Sequence, residues 1–395
     1  MLILGFFKPH DPTTMLKKLW KKATLTTLAL ATFTLSGYGQ NAKTEADLQR
    51  IMQQHEMVGL AVVVVKKGEI VYNKSFGLKD VESQAPLTNN DIFRIASISK
   101  SFTATALMQL IEQGKLSLDD DVSKLVGFQV RNPKFPNKTI TLRMMLSHTS
   151  SINDSQGYFT LDTIDPAKNP NWAACYNNYE PGTQYEYCNL GFNMGGTILE
   201  KLTGERFDQS IKHRILDPLG LYGGYNVDSL DASRFVTLYE YNADSSRFSP
   251  SPSAYAPRRQ EIRNYRMGHS TPIFSPTGGM KMSATDLARY MTMHLNKGEY
   301  KGTRIISKKS AKQMQSKIAD NGYGLALKTE KNLVPGKLLV GHTGNAYGLY
   351  SAMFFQPKEQ YGFVVITNGT SAPEVNEYNL ALADVINSLY NNLIK

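Results

Sequence analysis

Strand-like segments lie near both ends of this 395-residue chain, and helical patterns occupy most of the space between them. The valine-rich run Leu60–Lys66 and the run Glu69–Gly77 flank Lys67-Gly68, an arrangement typical of a hairpin. Further strands are predicted at Tyr323–Lys328, Lys337–Thr343, Leu349–Phe355 and Tyr361–Thr367. Because the chain begins and ends with strands, we predict an α/β (α+β) fold whose antiparallel sheet is built from both chain ends and flanked by helices.

Between these ends, residues 118–279 predict a mostly helical lobe inserted in the sheet lobe, so that residues 41–395 form one domain. Residues 225–278 are rich in Tyr, Ser, Arg and Pro, and read as one long irregular segment. Long loops in compact domains are usually functional, so we expect this segment to border a site. Helices are predicted at Thr44–His55, Gly191–Thr203, Phe207–Leu219, Ser283–Leu295 and Glu377–Ile394.

Residues 1–40 have the pattern of an export signal. Four lysines follow Met15, an apolar run extends from Ala23 to Leu35, and the small residues Gly37 and Gly39 come next. We place the start of the signal at Met15 and expect cleavage near Gly39, which would make the protein periplasmic or secreted. The apolar run is short for a bilayer span, so no stable membrane anchor is expected, and an uncleaved anchor is the alternative.

The charge of the chain does not indicate a nucleic-acid partner. The formal net charge is +10, of which residues 1–40 carry +4, so the remainder carries +6 without a basic run. We therefore expect a small-molecule or peptide substrate as the partner, while the oligomeric state stays open.

Cys175 and Cys188 are the only cysteines. An oxidising compartment permits a disulfide between them, which would brace the loop before Asn189. Two buried free thiols fit the sequence equally well. Two cysteines without a histidine cluster do not make a zinc site, and no metal is predicted.

The chain contains one S-x-x-K sequence, Ser97-Ile98-Ser99-Lys100, at the start of a helical pattern that extends to Gln113. Residues three apart on a helix share a face, so the Lys100 amine lies within reach of the Ser97 hydroxyl. A serine hydroxyl becomes a good nucleophile when a neighbouring base takes its proton. The alternative is a helix-capping serine beside a solvated lysine.

Two further segments have the composition of a cleft wall. Tyr187-Cys188-Asn189 follows a Pro-Gly turn and precedes a predicted helix. His342-Thr343-Gly344-Asn345 lies at the end of a predicted strand, where a substrate backbone can add as a further strand. Taken alone, each also fits a structural turn.

Together these three segments resemble the serine β-lactamase and penicillin-binding superfamily, in which S-x-x-K and K-T-G are signatures. Within it they are most similar to the branch of class C β-lactamases, D-amino-acid peptidases and related esterases, where Y-x-N is the middle motif. The order Ser97, Tyr187, His342 agrees, and the resemblance extends over nearly the whole chain after residue 40. It implies a β-lactamase/transpeptidase-like fold and no cofactor.

The resemblance also implies a role for each motif residue. Ser97 would be the acylated nucleophile, and Lys100 and Tyr187 would share proton transfer, with the identity of the base left open. Asn189 would bind the amide side of the substrate. The backbone N–H groups of Ser97 and Asn345 would form the oxyanion hole, which stabilises charge that appears only in the transition state.

His342 departs from the family pattern, because β-lactamases and DD-peptidases have lysine at this position. Histidine is mostly neutral near pH 7, so a cation for a substrate carboxylate is available only when the imidazole is protonated. We expect an exported serine acyl hydrolase that acts on a β-lactam, a D-amino-acid peptide or a small ester. The alternative is a penicillin-binding sensor that is acylated by β-lactams but does not turn them over.

Overall fold

The computed structural model describes residues 40–269, 271–375 and 377–395. The strands of the main sheet, and the smaller ones between them, are β1 (Gly59–Lys66), β2 (Glu69–Asp80), β3 (Ala85–Pro86), β4 (Phe93–Arg94), β5 (Gly223–Gly224), β6 (Tyr239–Asn242), β7 (Arg247–Pro250), β8 (Lys281–Met282), β9 (Glu299–Tyr300), β10 (Thr303–Arg304), β11 (Lys328–Glu330), β12 (Leu339–Ala346), β13 (Leu349–Gln356), β14 (Tyr361–Thr367), β15 (Glu374–Val375) and β16 (Tyr378–Asn379). The α-helices are α1 (40–54), α2 (Ser99–Glu112), α3 (Val122–Val126), α4 (Leu142–Leu146), α5 (Asn189–Thr203), α6 (Phe207–Ile211), α7 (Arg259–Arg263), α8 (Ala284–Leu295), α9 (Lys308–Gln315) and α10 (Leu380–Leu389).

The described residues form a seven-stranded antiparallel sheet in the order β11-β12-β13-β14-β1-β2-β3. Strand β1 pairs with β14 on one side and with β2 on the other, so the two chain ends meet at the middle of the sheet. The prediction of a mixed fold with one antiparallel sheet completed by both chain ends is confirmed.

Both faces of the sheet are covered, which explains why β1 is an unbroken apolar run. Leu60, Val62 and Val64 belong to a core cluster that includes residues of α1 and α10. The alternate residues of β1 point to the other face, where α8 packs and the larger core cluster begins. That larger cluster continues through α2, which is buried along most of its length and carries the S-x-x-K residue Lys100.

The hairpin between β1 and β2 turns at the two predicted residues. Lys67 has φ 55° and Gly68 has φ 82°, the left-handed pair that a two-residue hairpin turn requires. The helix Ser283–Leu295 is also confirmed, with the Ser283 hydroxyl accepting from the Asp286 N–H at its start.

Several predicted boundaries are wrong. Residues 323–327 are not a strand, because their backbone groups bond to helices: Leu325 N–H donates to Met314 O and Ala326 N–H donates to Leu146 O. Thr44 does not begin α1, since its hydroxyl donates to the carbonyl of Gln40 one turn earlier in the same helix.

The predicted signal segment lies almost wholly in residues 1–39, outside the described residues, and the division into a sheet lobe and a helical lobe stays a prediction. None of the helices described in residues 40–269, 271–375 and 377–395 has the length and apolar character needed to span a bilayer.

Candidate active site

Ser97 lies in a short 3-10 turn, Ala96–Ile98, directly before α2 rather than within its first turn. The turn is fixed on both sides, because Ile95 N–H donates to Met280 O (2.9 Å) and the Ser99 hydroxyl donates to Ala96 O (2.6 Å). Ala96 has φ 46°, a left-handed conformation that costs a non-glycine residue about 1–3 kcal/mol. Such strain persists only where surrounding contacts over-determine the conformation, and here they hold Ser97 half-buried in a cleft wall.

Lys100 is fully buried, and its Nζ lies 3.1 Å from Ser97 Oγ. The same nitrogen donates to Asn189 Oδ1 (2.8 Å) and to the carbonyl of Thr277 (3.0 Å), two groups that can only accept. Burial lowers the pKa of Lys100 to about 7, while the charge of Asp154 opposes that shift. A neutral amine at this position uses both its N–H groups on Asn189 and Thr277, which leaves its lone pair for the Ser97 hydroxyl proton.

Tyr187 completes the group around the serine. Its ring centroid lies 4.6 Å from Lys100 Nζ and 4.3 Å from the ring centroid of the buried His148. Burial raises the pKa of Tyr187 above its ordinary value, and the nearby Ser97 hydroxyl opposes that shift. The phenol is therefore neutral near pH 7 and able to donate a proton.

Asn189 is the first residue of α5, and Asp154 holds it in place from a distant loop. The Asp154 carboxylate accepts from the backbone N–H of Asn189 (2.8 Å), from its side-chain amide (3.0 Å) and from the N–H of Leu190 (3.0 Å). A carboxylate at a helix N-terminus is stabilised by the helix dipole. Because the Asn189 amide nitrogen faces Asp154, its oxygen is directed at Lys100.

Thr277 supports the opposite side of the lysine. Its hydroxyl donates to Asn189 Oδ1 (2.7 Å), while its backbone carbonyl accepts from Lys100. Sequence reasoning found neither Thr277 nor Asp154, because single Thr and Asp residues in loops carry no spacing signal. The Gly278-Gly279 pair beside Thr277 was the nearest available clue.

His342 is buried and neutral near pH 7, and its role towards the substrate stays a prediction. Burial, and next the charge of Lys100, lower its pKa to about 3. Its Nδ1 bonds to the Thr343 carbonyl and therefore carries the proton, so Nε2 accepts from the Tyr323 hydroxyl at 2.7 Å. The imidazole thus positions Tyr323, and contacts the Tyr187 ring only at 6.3 Å between centroids.

The strand β12 brings Thr343, Gly344 and Asn345 beside the serine turn. A Cβ on Gly344 would lie 2.4 Å from Ile95 O, so only glycine permits this approach. The Asn345 side-chain amide donates to Glu374 (2.8 Å). Thr343 and Asn345 both line the cleft, and the oxyanion role of the Asn345 and Ser97 N–H groups stays a prediction.

Cys175 and Cys188 are free, buried thiols, so the disulfide that the sequence permitted is not formed in this structure. Each sulfur has its own partner. Cys188 donates to Asp154 Oδ1 and Cys175 donates to the carbonyl of Thr163, both at 3.4 Å. The loop before Asn189 is instead braced by hydrogen bonds, including Cys188 N–H to His148 Nδ1 (3.0 Å).

Ser97, Tyr187, Asn189 and the β12 residues line one cleft of about 720 Å³. Lys100 lies behind the serine and beneath the Tyr187 ring. Among the described residues, no group of three His, Cys, Asp or Glu side chains is placed to hold a metal ion. The cleft therefore gathers a hydroxyl nucleophile, an amine with a pKa near neutrality and a neutral phenol, which is an arrangement suited to acyl transfer.

The family profile described as Beta-lactamase matches residues 44–387. The chain belongs to the beta-lactamase family. This places the chain in the β-lactamase/transpeptidase-like superfamily. The resemblance drawn from the three motifs is confirmed.

Curated relatives are similar over most of the chain. Penicillin-binding protein 4 of Amycolatopsis lactamdurans is 29% identical over 337 residues, which cover 80% of this chain and 82% of that protein. Protein flp of Staphylococcus aureus (strain MRSA252) is 26% identical over 338 residues and 81% of this chain. The match spans 61% of the length of protein flp.

Solved structures agree on the fold. The octameric penicillin-binding protein homologue from Pyrococcus abyssi is 27% identical with a TM-score of 0.69, covering 89% of this chain and 77% of that one. EstCE1, described as a hydrolase with promiscuous acyltransferase activity, has a TM-score of 0.70 at 21% identity and covers 89% of this chain and 100% of its own. The D-amino acid amidase from Ochrobactrum anthropi SV3 has a TM-score of 0.68 at 20% identity, covering 90% and 98%.

Proposed function

We propose that this β-lactamase-family hydrolase cleaves amide or ester bonds through a covalent acyl-enzyme on Ser97, with Lys100 as the base and Tyr187 as the acid. The observation that carries the proposal is the Lys100 amine, buried 3.1 Å from Ser97 Oγ with a pKa of about 7. A base with a pKa near the working pH combines availability with proton affinity.

In acylation, Ser97 Oγ attacks the substrate carbonyl carbon while its proton passes to the Lys100 lone pair. The carbonyl π electrons move to oxygen, and the resulting oxyanion accepts hydrogen bonds from the N–H groups of Ser97 and Asn345. The bond to the leaving group then breaks, and Tyr187 supplies the proton to the departing nitrogen or oxygen. Lys100 returns a proton to Tyr187 through solvent.

In deacylation, a water molecule takes the place of the leaving group. The Lys100–Tyr187 pair removes one proton from that water as its oxygen attacks the acyl carbon, and the Ser97 oxygen recovers a proton when the ester bond breaks. Asn189 is held by Asp154 and Thr277 and keeps the Lys100 amine aimed at the serine. We assign substrate-amide binding to Asn189 and Thr343.

The substrate class is an acyl compound of moderate size, among β-lactams, D-amino-acid peptides or amides, and small esters. The names of the penicillin-binding relative, the amidase and the hydrolase EstCE1 support this range. Because His342 is neutral, we expect poor turnover of substrates whose carboxylate needs a cation at that position. Penicillins are such substrates in relatives that have lysine there.

The proposal is tested by comparing the protein with its Ser97→Ala variant. A fluorophosphonate probe should label the protein, and the protein should hydrolyse p-nitrophenyl esters. Peptide mass spectrometry should locate the acyl adduct on Ser97. Ser99→Ala and Ser101→Ala are matched controls in the same segment. Labelling that survives in Ser97→Ala would refute the assignment.

A fluorescent penicillin separates the hydrolase from the acylated sensor. If the label is released and the protein can be labelled again, the acyl-enzyme turns over and the hydrolase assignment stands. Labelling that persists indefinitely, with no ester or amide turned over, would favour a β-lactam-binding protein instead.

We also propose that residues 1–40 direct export. The lysine cluster after Met15 and the apolar run from Ala23 to Leu35 support this. The expected mature protein begins near residue 40 and is recovered from the periplasm or medium, as N-terminal sequencing would measure. A product that keeps residues 1–39 and stays with the cytoplasm would contradict it.

A further inference from the structure

Arg94 lines the cleft three residues before the nucleophile, and no catalytic role has been assigned to it. Its Nε donates to the Gly278 carbonyl at 3.0 Å, and its Nη1 donates to the Ala254 carbonyl at 3.4 Å. The guanidinium carbon lies 5.0 Å from the centroid of the Tyr347 ring. These contacts hold the side chain in one orientation without neutralising its charge.

The charge of Arg94 lacks a counterion among the described residues. Its electrostatic neighbours are tyrosines and the further cation Arg258, and Glu240, which also lines the cleft, makes no ion pair with it. The cleft's other basic lining residues differ. Lys328 pairs with Glu377 and Glu330, and His342 is neutral. A half-buried guanidinium without a carboxylate has unmet capacity for a charge-assisted, bidentate contact.

Arg94 and His342 lie at opposite ends of the cleft. Arg94 contacts Tyr347, which follows the end of β12, whereas His342 lies five residues earlier. Five strand residues span roughly 16 Å. The serine turn packs against Gly344 between them, where a Cβ would meet Ala96 at 3.0 Å.

The position of the proton donor, Tyr187, indicates which part of the substrate lies at each end of the cleft. Tyr187 packs with His148 and faces His342, and the leaving group must depart towards the group that protonates it. The acyl portion is then directed to the other end, past Ser97 towards Tyr347. The consecutive carbonyls of Thr277 and Gly278 bind Lys100 and Arg94, so both side chains belong to one wall.

We propose that Arg94 binds a carboxylate on the acyl portion of the substrate, an inference that rests on the acyl-enzyme function proposed above. The enzyme would then prefer acyl groups that carry a distal carboxylate over neutral acyl groups of equal length. A carboxylate on the leaving group would instead lie at the His342 end of the cleft.

Mono-p-nitrophenyl adipate and pimelate, compared with p-nitrophenyl hexanoate and heptanoate, provide the test. Their leaving group is constant, so the ratio of kcat/KM for the anionic and neutral esters isolates the distal carboxylate. We expect Arg94→Gln to lower this ratio by about 10-fold or more, mainly through KM, because a charge-assisted contact is lost. Arg94→Lys should lower the ratio less, since lysine keeps the positive charge but cannot make the bidentate contact of a guanidinium.

Arg258→Gln is the matched control, because Arg258 is a neighbouring cation that pairs with Glu261 and does not line the cleft. The ratio should stay within about 2-fold of the parent protein in this variant, because exposed charges are screened. A ratio that is unchanged in Arg94→Gln, or that falls equally in Arg258→Gln, would overturn the proposal. Equal loss on both ester classes would make Arg94 a structural residue and would overturn it as well.

The two proposals fail in different ways. Hydrolysis that persists in Ser97→Ala refutes the acyl-enzyme function itself, and the inference on Arg94 falls with it. Ser97-dependent hydrolysis with no dependence of the ratio on Arg94 refutes only the carboxylate contact. If Arg94→Gln does not fold, Arg94→Lys measures the same ratio, with an expected fall of about 3-fold.

Discussion

The charge state of Lys100 should set the lower pH limit of activity. Its pKa is about 7, and only the neutral amine can take the Ser97 proton. Activity should therefore be low well below pH 7, rise through pH 7 and level off above it. The largest cause of this low pKa is burial, and the Asp154 carboxylate opposes it by stabilising the ammonium form.

Replacing Asp154 with Asn tests this balance. Lys100 Nζ and the Asp154 carboxylate are bridged by the Asn189 amide, through contacts of 2.8 and 3.0 Å. Unit charges about 7 Å apart in a medium of effective dielectric 20–40 interact by about 1–2 kcal/mol, or roughly one pH unit. Removing the carboxylate destabilises the ammonium, so the rising limb should move to lower pH by about that amount.

The assay is kcat/KM for a neutral p-nitrophenyl ester between pH 5 and 9, read at the wavelength where absorbance does not depend on the ionisation of nitrophenol. Asp121→Asn is the control, because Asp121 also caps a helix but pairs with Arg131 and has no contact with Asn189. The rising limb of the pH profile of Asp121→Asn should coincide with that of the parent protein. A parent limb far from pH 7, or a limb in Asp154→Asn that moves upward, would refute Lys100 as the base.

Three further predictions follow from single contacts. Tyr187→Phe should lower kcat/KM for an anilide by about 10²-fold or more and affect a nitrophenyl ester less, because nitrophenolate leaves without protonation; equal losses would show that Tyr187 is not the acid. Gly344→Ala should reduce turnover of every ester or destabilise the fold, since its Cβ would lie 2.4 Å from Ile95 O, and a fully active, stable variant would contradict this close approach. Alkylation of the unfolded, unreduced protein should label both Cys175 and Cys188, whereas two protected cysteines would indicate a disulfide.

The parts of the fold that the sequence predicted best have strong local signals. The hairpin turn at Lys67-Gly68 requires two left-handed residues, and β14 coincides with the predicted Tyr361–Thr367. The segment 323–327 was misassigned because its apolar residues are buried by loops and helices rather than by sheet pairing. Periodicity reports burial, but it does not report which partner takes the backbone hydrogen bonds.

The site shows a similar division. Ser97, Lys100 and Tyr187 were named from motif spacing, and the structure brings them together. Asp154 and Thr277 could not be named, because each acts through a contact with Asn189 that is distant in sequence. The pKa values of Lys100 and His342 depend on burial, which a motif does not encode. From the sequence His342 is expected to be mostly neutral near pH 7, and burial in the structure lowers its pKa further.

The neutral His342 changes the expected result of replacing it with lysine. β-Lactamases and DD-peptidases have lysine at this position, where it would supply a permanent cation for a substrate carboxylate. In this structure the position is buried, near enough to Lys100 that the charge of Lys100 lowers the pKa of His342. A second ammonium would in turn lower the pKa of Lys100, and the Tyr323 hydroxyl would lose its acceptor. We therefore expect His342→Lys to move the rising limb to lower pH and to decrease thermal stability.

His342→Gln is the comparison variant, because it removes the imidazole without adding charge. It should share the stability loss but leave the limb in place, which separates charge repulsion from the loss of the Tyr323 contact. If His342→Lys instead raises penicillin acylation at pH 8 by about 10-fold with an unmoved limb, the site tolerates a cation at that end. The substrate carboxylate would then bind at the His342 end, beside the leaving group. The difference in charge between the neutral His342 end and the cationic Arg94 end would not determine which substrates are used.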